Sequence, residues 1–294
     1  MFSRQPHSCT VLIAILLWLA GSWNALFRVF QERLPVSVIL SITPLSKEGR
    51  YFYFIDLASH CLYTSREYKS AALYADLALR HRVIVDSFNT EESFASLLMD
   101  LGKYEQAKRL LLTLAPLKRG SPEYCLAPMV AGRQELLGRC YFGLHQYRAA
   151  AAVFAKEVPE LIPENTMRGG LESGAFMSSV CVGDNRSAEK LLKHWRENRH
   201  FYDPRPFSAE MDNPLFGFFI SSMYLAPSDG TTAKDLCDRY IRFWQISENS
   251  EDYDAIPLLE AAAKIMEDRG FSQESIRLSS CADQKRLMRS QHVR

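Results

Sequence analysis

From Arg50 onward the apolar positions of the chain recur with a helical period, and runs of alternating β-branched residues are missing. The pattern predicts an all-α chain. One phrase returns along it: Tyr68-x-x-Ala71 followed by Ala75 and Ala78, then Tyr104-x-x-Ala107 followed by Leu111 and Leu114. It returns again as Tyr147-x-x-Ala150 with Phe154, preceded by Leu137-Gly138 and Tyr141. A weaker copy runs from Gly183 to Ala188 with Leu192 and Trp195, and two fainter ones centre on Ala233 with Cys237 and Tyr240, and on Phe271 with Ile276 and Leu278. Self-similarity at roughly 36 to 45 residues is the mark of stacked helix pairs. Gly or Ala at the expected crossings (Ala71, Ala107, Gly138, Ala150, Ala188) lets helices approach closely while Tyr, Phe and Leu fill the space between pairs, so most of these residues are expected to be core. Prolines such as Pro128, Pro214, Pro227 and Pro257 fall between the apolar blocks, where proline stops one helix and can begin the next. The stretch from Arg199 to Pro214 is the longest break, and Glu248 to Asp254 reads as an acidic linker.

The recurring phrase resembles the tetratricopeptide repeat, whose first helix carries L-G-x-x-Y and whose second opens on G-x-Y-x-x-A. The best copies are Leu137-Gly138-Arg139-Cys140-Tyr141 and Gly102-Lys103-Tyr104-Glu105-Gln106-Ala107. The resemblance is clearest over residues 50–195 and continues over 196–294 as helix rhythm. It implies a right-handed α-solenoid of about four to six helix pairs over residues 34–294. Such solenoids hold extended peptides or partner helices in a concave groove lined by the first helix of each pair. In this register that face carries Tyr53, Asp56, His60 and Tyr63 from one unit, Glu92, Ser96, Met99 and Asp100 from the next, and Glu135, Arg139 and Phe142 from a third. Aromatic and Met anchors with a few charges suit a protein or peptide partner. Chaperone-binding members of the family grip a C-terminal carboxylate with Lys and Asn on the first helix, and Asp56 and His60 stand at the matching places here. A narrower resemblance joins Arg66-Glu67-Tyr68-Lys69-Ser70-Ala71, ending on Ala78-Leu79, and the copies near Tyr104 and Tyr147 to tetratricopeptide subunits of the anaphase-promoting complex. It implies a soluble subunit of a large ubiquitin-ligase assembly.

The segment Val11 to Phe27 is apolar apart from Ser22 and Asn24, with Arg4 before it and Arg28 and Arg33 after it. With the run extended to Phe30 it has the length of a membrane span, and Trp18 and Trp23 suit an interface, so residues 1–33 are expected to be a signal anchor. A cleaved signal peptide ending near Ser22 is the alternative, since Ala20 and Ser22 are the small residues a signal peptidase reads. A third reading makes the segment an apolar N-terminal helix of the fold.

Charge and chemistry narrow the function. Thirty-five Lys and Arg against 34 Asp and Glu leave a formal charge of +1, so no excess steers the chain to nucleic acid. The seven cysteines (Cys9, Cys61, Cys125, Cys140, Cys181, Cys237, Cys281) are odd in number, widely spaced and without a Cys-x-x-Cys, which reads as buried apolar residues rather than disulfides or a metal site. Neither a G-x-G-x-x-G nor a phosphate loop with Lys-Ser/Thr occurs. Gly170-Leu171-Glu172-Ser173-Gly174 imitates a nucleophile elbow, but its Ser is one place late and no strand precedes it, so it is expected to be a helix start or turn. Glu91-Glu92, Glu251-Asp252 and His60-Cys61 are sequence neighbours, which diverge on a helix and make poor acid and base pairs. Asn185-Arg186-Ser187 is a glycosylation sequon of consequence only in a secretory lumen. The chain is therefore expected to be a non-enzymatic scaffold without cofactor or small-molecule substrate, the alternative from another class being an enzyme assembled from scattered residues.

Overall fold

The computed structural model describes residues 45–83, 88–114, 127–156, 158, 166–197, 214–246 and 255–291. The apolar segment 11–30 and the linkers at 199–213 and 248–254 lie outside the described residues. Among the described residues every regular element is helical, in twelve α-helices and one π-turn. None of these helices is long and apolar enough to cross a membrane. The chain divides into two compact units, residues 1–84 and 85–294.

Among the described residues the first unit holds one helix pair. Helix α1 (Lys47–Ser59) opens on Ser46, whose Oγ accepts from the amide of Gly49 at 3.0 Å, and it runs on as a π-turn over His60–Thr64. Helix α2 (Tyr68–His81) returns along it. Ala71, Ala75 and Ala78 are fully buried on one face of α2, and the Phe54 ring of α1 stacks on Tyr74 and His81. Alternating small and aromatic residues let the two helices meet closely.

Among its described residues the second unit holds five pairs: α3 (Phe88–Asp100) with α4 (Tyr104–Leu112), α5 (Ala127–Gly143) with α6 (Tyr147–Phe154), α7 (Thr166–Cys181) with α8 (Asn185–Glu197), α9 (Pro214–Met223) with α10 (Gly230–Ile246), and α11 (Ala255–Asp268) with α12 (Ser272–Gln291). Pro128, Pro214 and Pro257 sit in the first turns of α5, α9 and α11, where a missing amide donor costs nothing.

The repeat is visible in the turns themselves. Gly102, His145, Gly183 and Gly270 take positive φ between the two helices of their pairs, and each turn makes the same two bonds. The amide after the positive-φ residue donates back across the turn, as Lys103 to Leu98, Gln146 to Tyr141, Asp184 to Ser179 and Phe271 to Met266, while the positive-φ residue itself donates to Met99, Phe142, Val180 and Glu267. At the same offset beyond each turn stands a buried small residue, Ala107, Ala150, Ala188 or Ser275, whose amide makes the first bond of the second helix. The Tyr-x-x-Ala phrase is thus the start of a second helix.

Stacking is regular only at first. Helix α5 packs on α3, α4, α6 and α7. Beyond that point α7 becomes a hub that meets α8, α9 and α11, so the last two pairs gather about α7 instead of continuing a plain stack.

Candidate functional site

On the side of α5 that faces α7 the second unit holds a cleft of about 230 Å³. Glu135, Arg139 and Phe142 line it from α5, and Gly170, Ser173, Gly174 and Met177 from α7. The first set stands at i, i+4 and i+7 and the second at i, i+3, i+4 and i+7, so each is one stripe of its helix. The N-terminal turn of α11 closes the far side with Pro257 and Leu258, and Tyr104 and Phe154 reach it from the second helices. Three first helices therefore share one cavity.

Glycine makes the cleft possible. A Cβ on Gly138 or on Gly174 would come within 2.5 Å of the Phe154 ring, so that ring lies wedged between α5 and α7 with a glycine on either side. A Cβ on Gly170 would meet the Glu135 carboxylate at 2.8 Å, and one on Gly143 the Tyr104 ring at 2.6 Å. Gln134, buried in α5, donates to the carbonyls of Val153 at 2.8 Å and Lys156 at 2.6 Å and so caps the end of α6 that carries Phe154. The floor of the cleft is a fixed aromatic ring.

Of the expected groove residues, the structure brings Glu135, Arg139 and Phe142 together in this cleft. The α3 residues do other things: Glu92 pairs with Arg133 of α5 at 3.1 Å, its carboxyl nevertheless pushed above the usual range by burial, and the Met99 sulfur lies 3.3 Å from the Cys140 thiol in a buried contact. Asp100 is buried and Ser96 half-buried. In the first unit Tyr53 is buried, with its hydroxyl pushed up to about 12 by burial and then by Tyr74, while Asp56 and Tyr63 are exposed and His60 is half-buried.

Gly170 to Gly174 is no turn or helix start, contrary to expectation; it is the interior of α7. Its small residues serve close approach to Glu135 and Phe154, a signal the sequence did hold in their i, i+4 spacing. Pro257 and Leu258 could not be found that way, because nothing local ties α11 to α5.

The side chains offer little for covalent chemistry. Burial pushes the Cys61 thiol up to about 11 and those of Cys140 and Cys237 to about 12, far from a thiolate at neutral pH. Among the described residues no group of His, Cys, Asp and Glu could hold a metal ion. What the cleft offers is apolar surface beside one acidic and one basic side chain.

No family model matches the sequence, and no curated protein matches it. A solved structure does: the apo form of RapI superposes with a TM-score of 0.54 at 14% identity, over 95% of this chain and 97% of that one. The chain has a helical-repeat fold similar to that of RapI. The agreement spans nearly all of both chains rather than one recurrent helix pair. Neither the tetratricopeptide family nor the anaphase-promoting complex subunits are matched by a family model.

Proposed function

We propose that this protein is a non-enzymatic adaptor that holds a segment of a protein partner in the cleft between α5, α7 and α11, on the concave side of a tetratricopeptide-like stack. The observation that carries the reading is the cleft's composition: Phe142, Phe154, Met177 and Leu258 provide an apolar bed, and Arg139 and Glu135 stand beside it as charges of opposite sign. A cavity of about 230 Å³ suits one or two side chains of a peptide whose backbone runs along the two helices. The wedged ring and the glycine stripes keep the bed preformed, which lowers the entropy cost of binding.

The test is selection of a displayed peptide library on the immobilised full chain, followed by calorimetric titration of the selected peptides. Arg139→Glu and Ser173→Leu are expected to weaken binding at least about tenfold while the circular dichroism melt is unchanged. Equal binding by both variants would remove the cleft from consideration. Residues 11–30 are proposed as a membrane tether; an uncleaved chain in the pellet after alkaline carbonate extraction is expected, and a soluble chain would refute it.

A further inference from the structure

The helix pair that closes the cleft ends on an overhang. Helix α12 has 20 residues against 14 in α11, its antiparallel partner, so about a turn and a half of α12, roughly 9 Å, projects past the start of α11. The buried stripe of α12, Ser275, Leu278, Cys281 and Ala282, stops where α11 begins; beyond it Leu287 and Met288 are 55% and 57% exposed and add nothing to the core. The charge of this end is one-sided. After Asp283 the sequence carries Lys285, Arg286, Arg289 and Arg294 and no acidic residue. Arg286 pairs with Asp283 at 2.5 Å and with Glu260 of α11, and Glu260 in turn lies 3.4 Å from Nε2 of His145 at the α5–α6 turn. These contacts hold the end of α12 beside the first turn of α11, whose Pro257 and Leu258 wall the cleft. One helix width, about 10 Å, therefore separates the cleft from a basic surface that carries two exposed apolar side chains.

Inside the cleft the two charged residues are not equivalent. The Glu135 carboxylate is laid on the backbone of α7, its oxygens 2.8 and 3.1 Å from where a Gly170 Cβ would stand. Gly170 is the fifth residue of α7, close to the end where the helix dipole favours an anion. Glu135 is thus taken up by α7. Arg139, one turn further along α5, brings a guanidinium to the lining, the group that binds a carboxylate through paired N–H donors. We infer that the partner segment is acidic. One apolar side chain enters the bed of Phe142, Phe154, Met177 and Leu258, a carboxylate beside it meets Arg139, and further acidic residues pass over the first turn of α11 to the basic end of α12. About three extended residues span that helix width. A basic segment would meet like charge at both Arg139 and the α12 end, so selectivity comes from repulsion as well as attraction. The acidic preference rests on the cleft's being a peptide site and adds the chemistry of the peptide.

The test uses the full chain and peptides selected on it from a random display library. Each peptide is made twice, once as selected and once with every Asp and Glu replaced by Asn and Gln. Calorimetric titration is expected to show the acidic form binding at least about tenfold more tightly, an advantage that shrinks between about 0.05 and about 0.5 M NaCl. Lys285→Glu combined with Met288→Ser should weaken the acidic form several-fold and the neutral form less. Selected peptides without acidic residues, or pairs that bind equally while Ser173→Leu weakens both, overturn the acidic preference and leave the cleft in place. Binding that ignores both Ser173→Leu and Arg139→Glu overturns the cleft and the preference with it. If the α12 substitutions leave the peptides untouched and instead lower binding of the chain to vesicles rich in phosphatidylserine, the basic end serves a membrane surface and the acidic partner is overturned.

Discussion

Helix α5 has two working sides that are built in opposite ways. Towards α3 the space is filled: Arg133 meets Glu92, and the Cys140 thiol meets the Met99 sulfur in a buried contact. Towards α7 it is held open, because Gly138, Gly170 and Gly174 admit only the Phe154 ring and the Glu135 carboxylate, and the remaining volume is the cleft. The first side spends its side chains on cohesion, and the second spends backbone proximity on keeping a cavity. The same helix thus separates a filled interface from an open cleft.

The contrast breaks most sharply at Phe154. Phe154→Ala removes the spacer between two glycines and should cost about 3–5 kcal/mol, read as a fall in the urea midpoint. Gly174→Ala forces a Cβ to within 2.5 Å of that ring and should cost about 1–3 kcal/mol; a neutral result would mean that the ring is free to move aside.

On the filled side Arg133→Ala leaves Glu92 half-buried without its cation, at about 1–3 kcal/mol near neutral pH. The sign of its pH dependence follows from burial, which raises the Glu92 pKa. That carboxyl contributes its full stability below the ordinary carboxylate range and loses it as pH rises through the raised value. The deficit of Arg133→Ala should therefore shrink on acidification, as denaturant curves at two pH values will read. A deficit independent of pH would mean that the Arg133 stem, not its charge, holds α3 to α5.

The smallest effect is expected on the open side. Ser173→Leu adds an apolar side chain where there is room, so the melt should move by no more than about 0.5 kcal/mol equivalent. A large loss would show that the cavity is less open than its walls imply.

Much of the fold was legible in the sequence because the repeat writes itself in local chemistry. Tyr-x-x-Ala marks the start of second helices, and Gly102, Gly183 and Gly270 punctuate the turns before them, where only glycine is free of strain. Gly138 was readable as a crossing for the same reason, being a small residue on an apolar stripe. The site was half legible. Glu135, Arg139 and Phe142 follow from helix periodicity, but Met99 and Tyr53 share that periodicity and are buried, because a stripe facing the next helix looks like a stripe facing a groove. The wall from α11 and the role of His145 depend on contacts between residues far apart in sequence, and a single chain records no such pairing. His145 even reads against the pattern, since glycine is what that turn prefers.

The tie between the α5–α6 turn and α11 also bears on how such a chain can change over generations. An open row of helix pairs tolerates gain or loss of a whole pair, since each touches only its neighbours. Here Glu260 must arrive opposite His145 after two intervening pairs, α7–α8 and α9–α10, have turned about the hub. Duplicating or deleting either would carry the carboxylate past its partner and α11 away from the cleft. One contact between the α5–α6 turn and α11 thus ties the number of units in this part of the molecule to the fold, and leaves substitution within units and the lengths of the joining segments as the freer routes of variation.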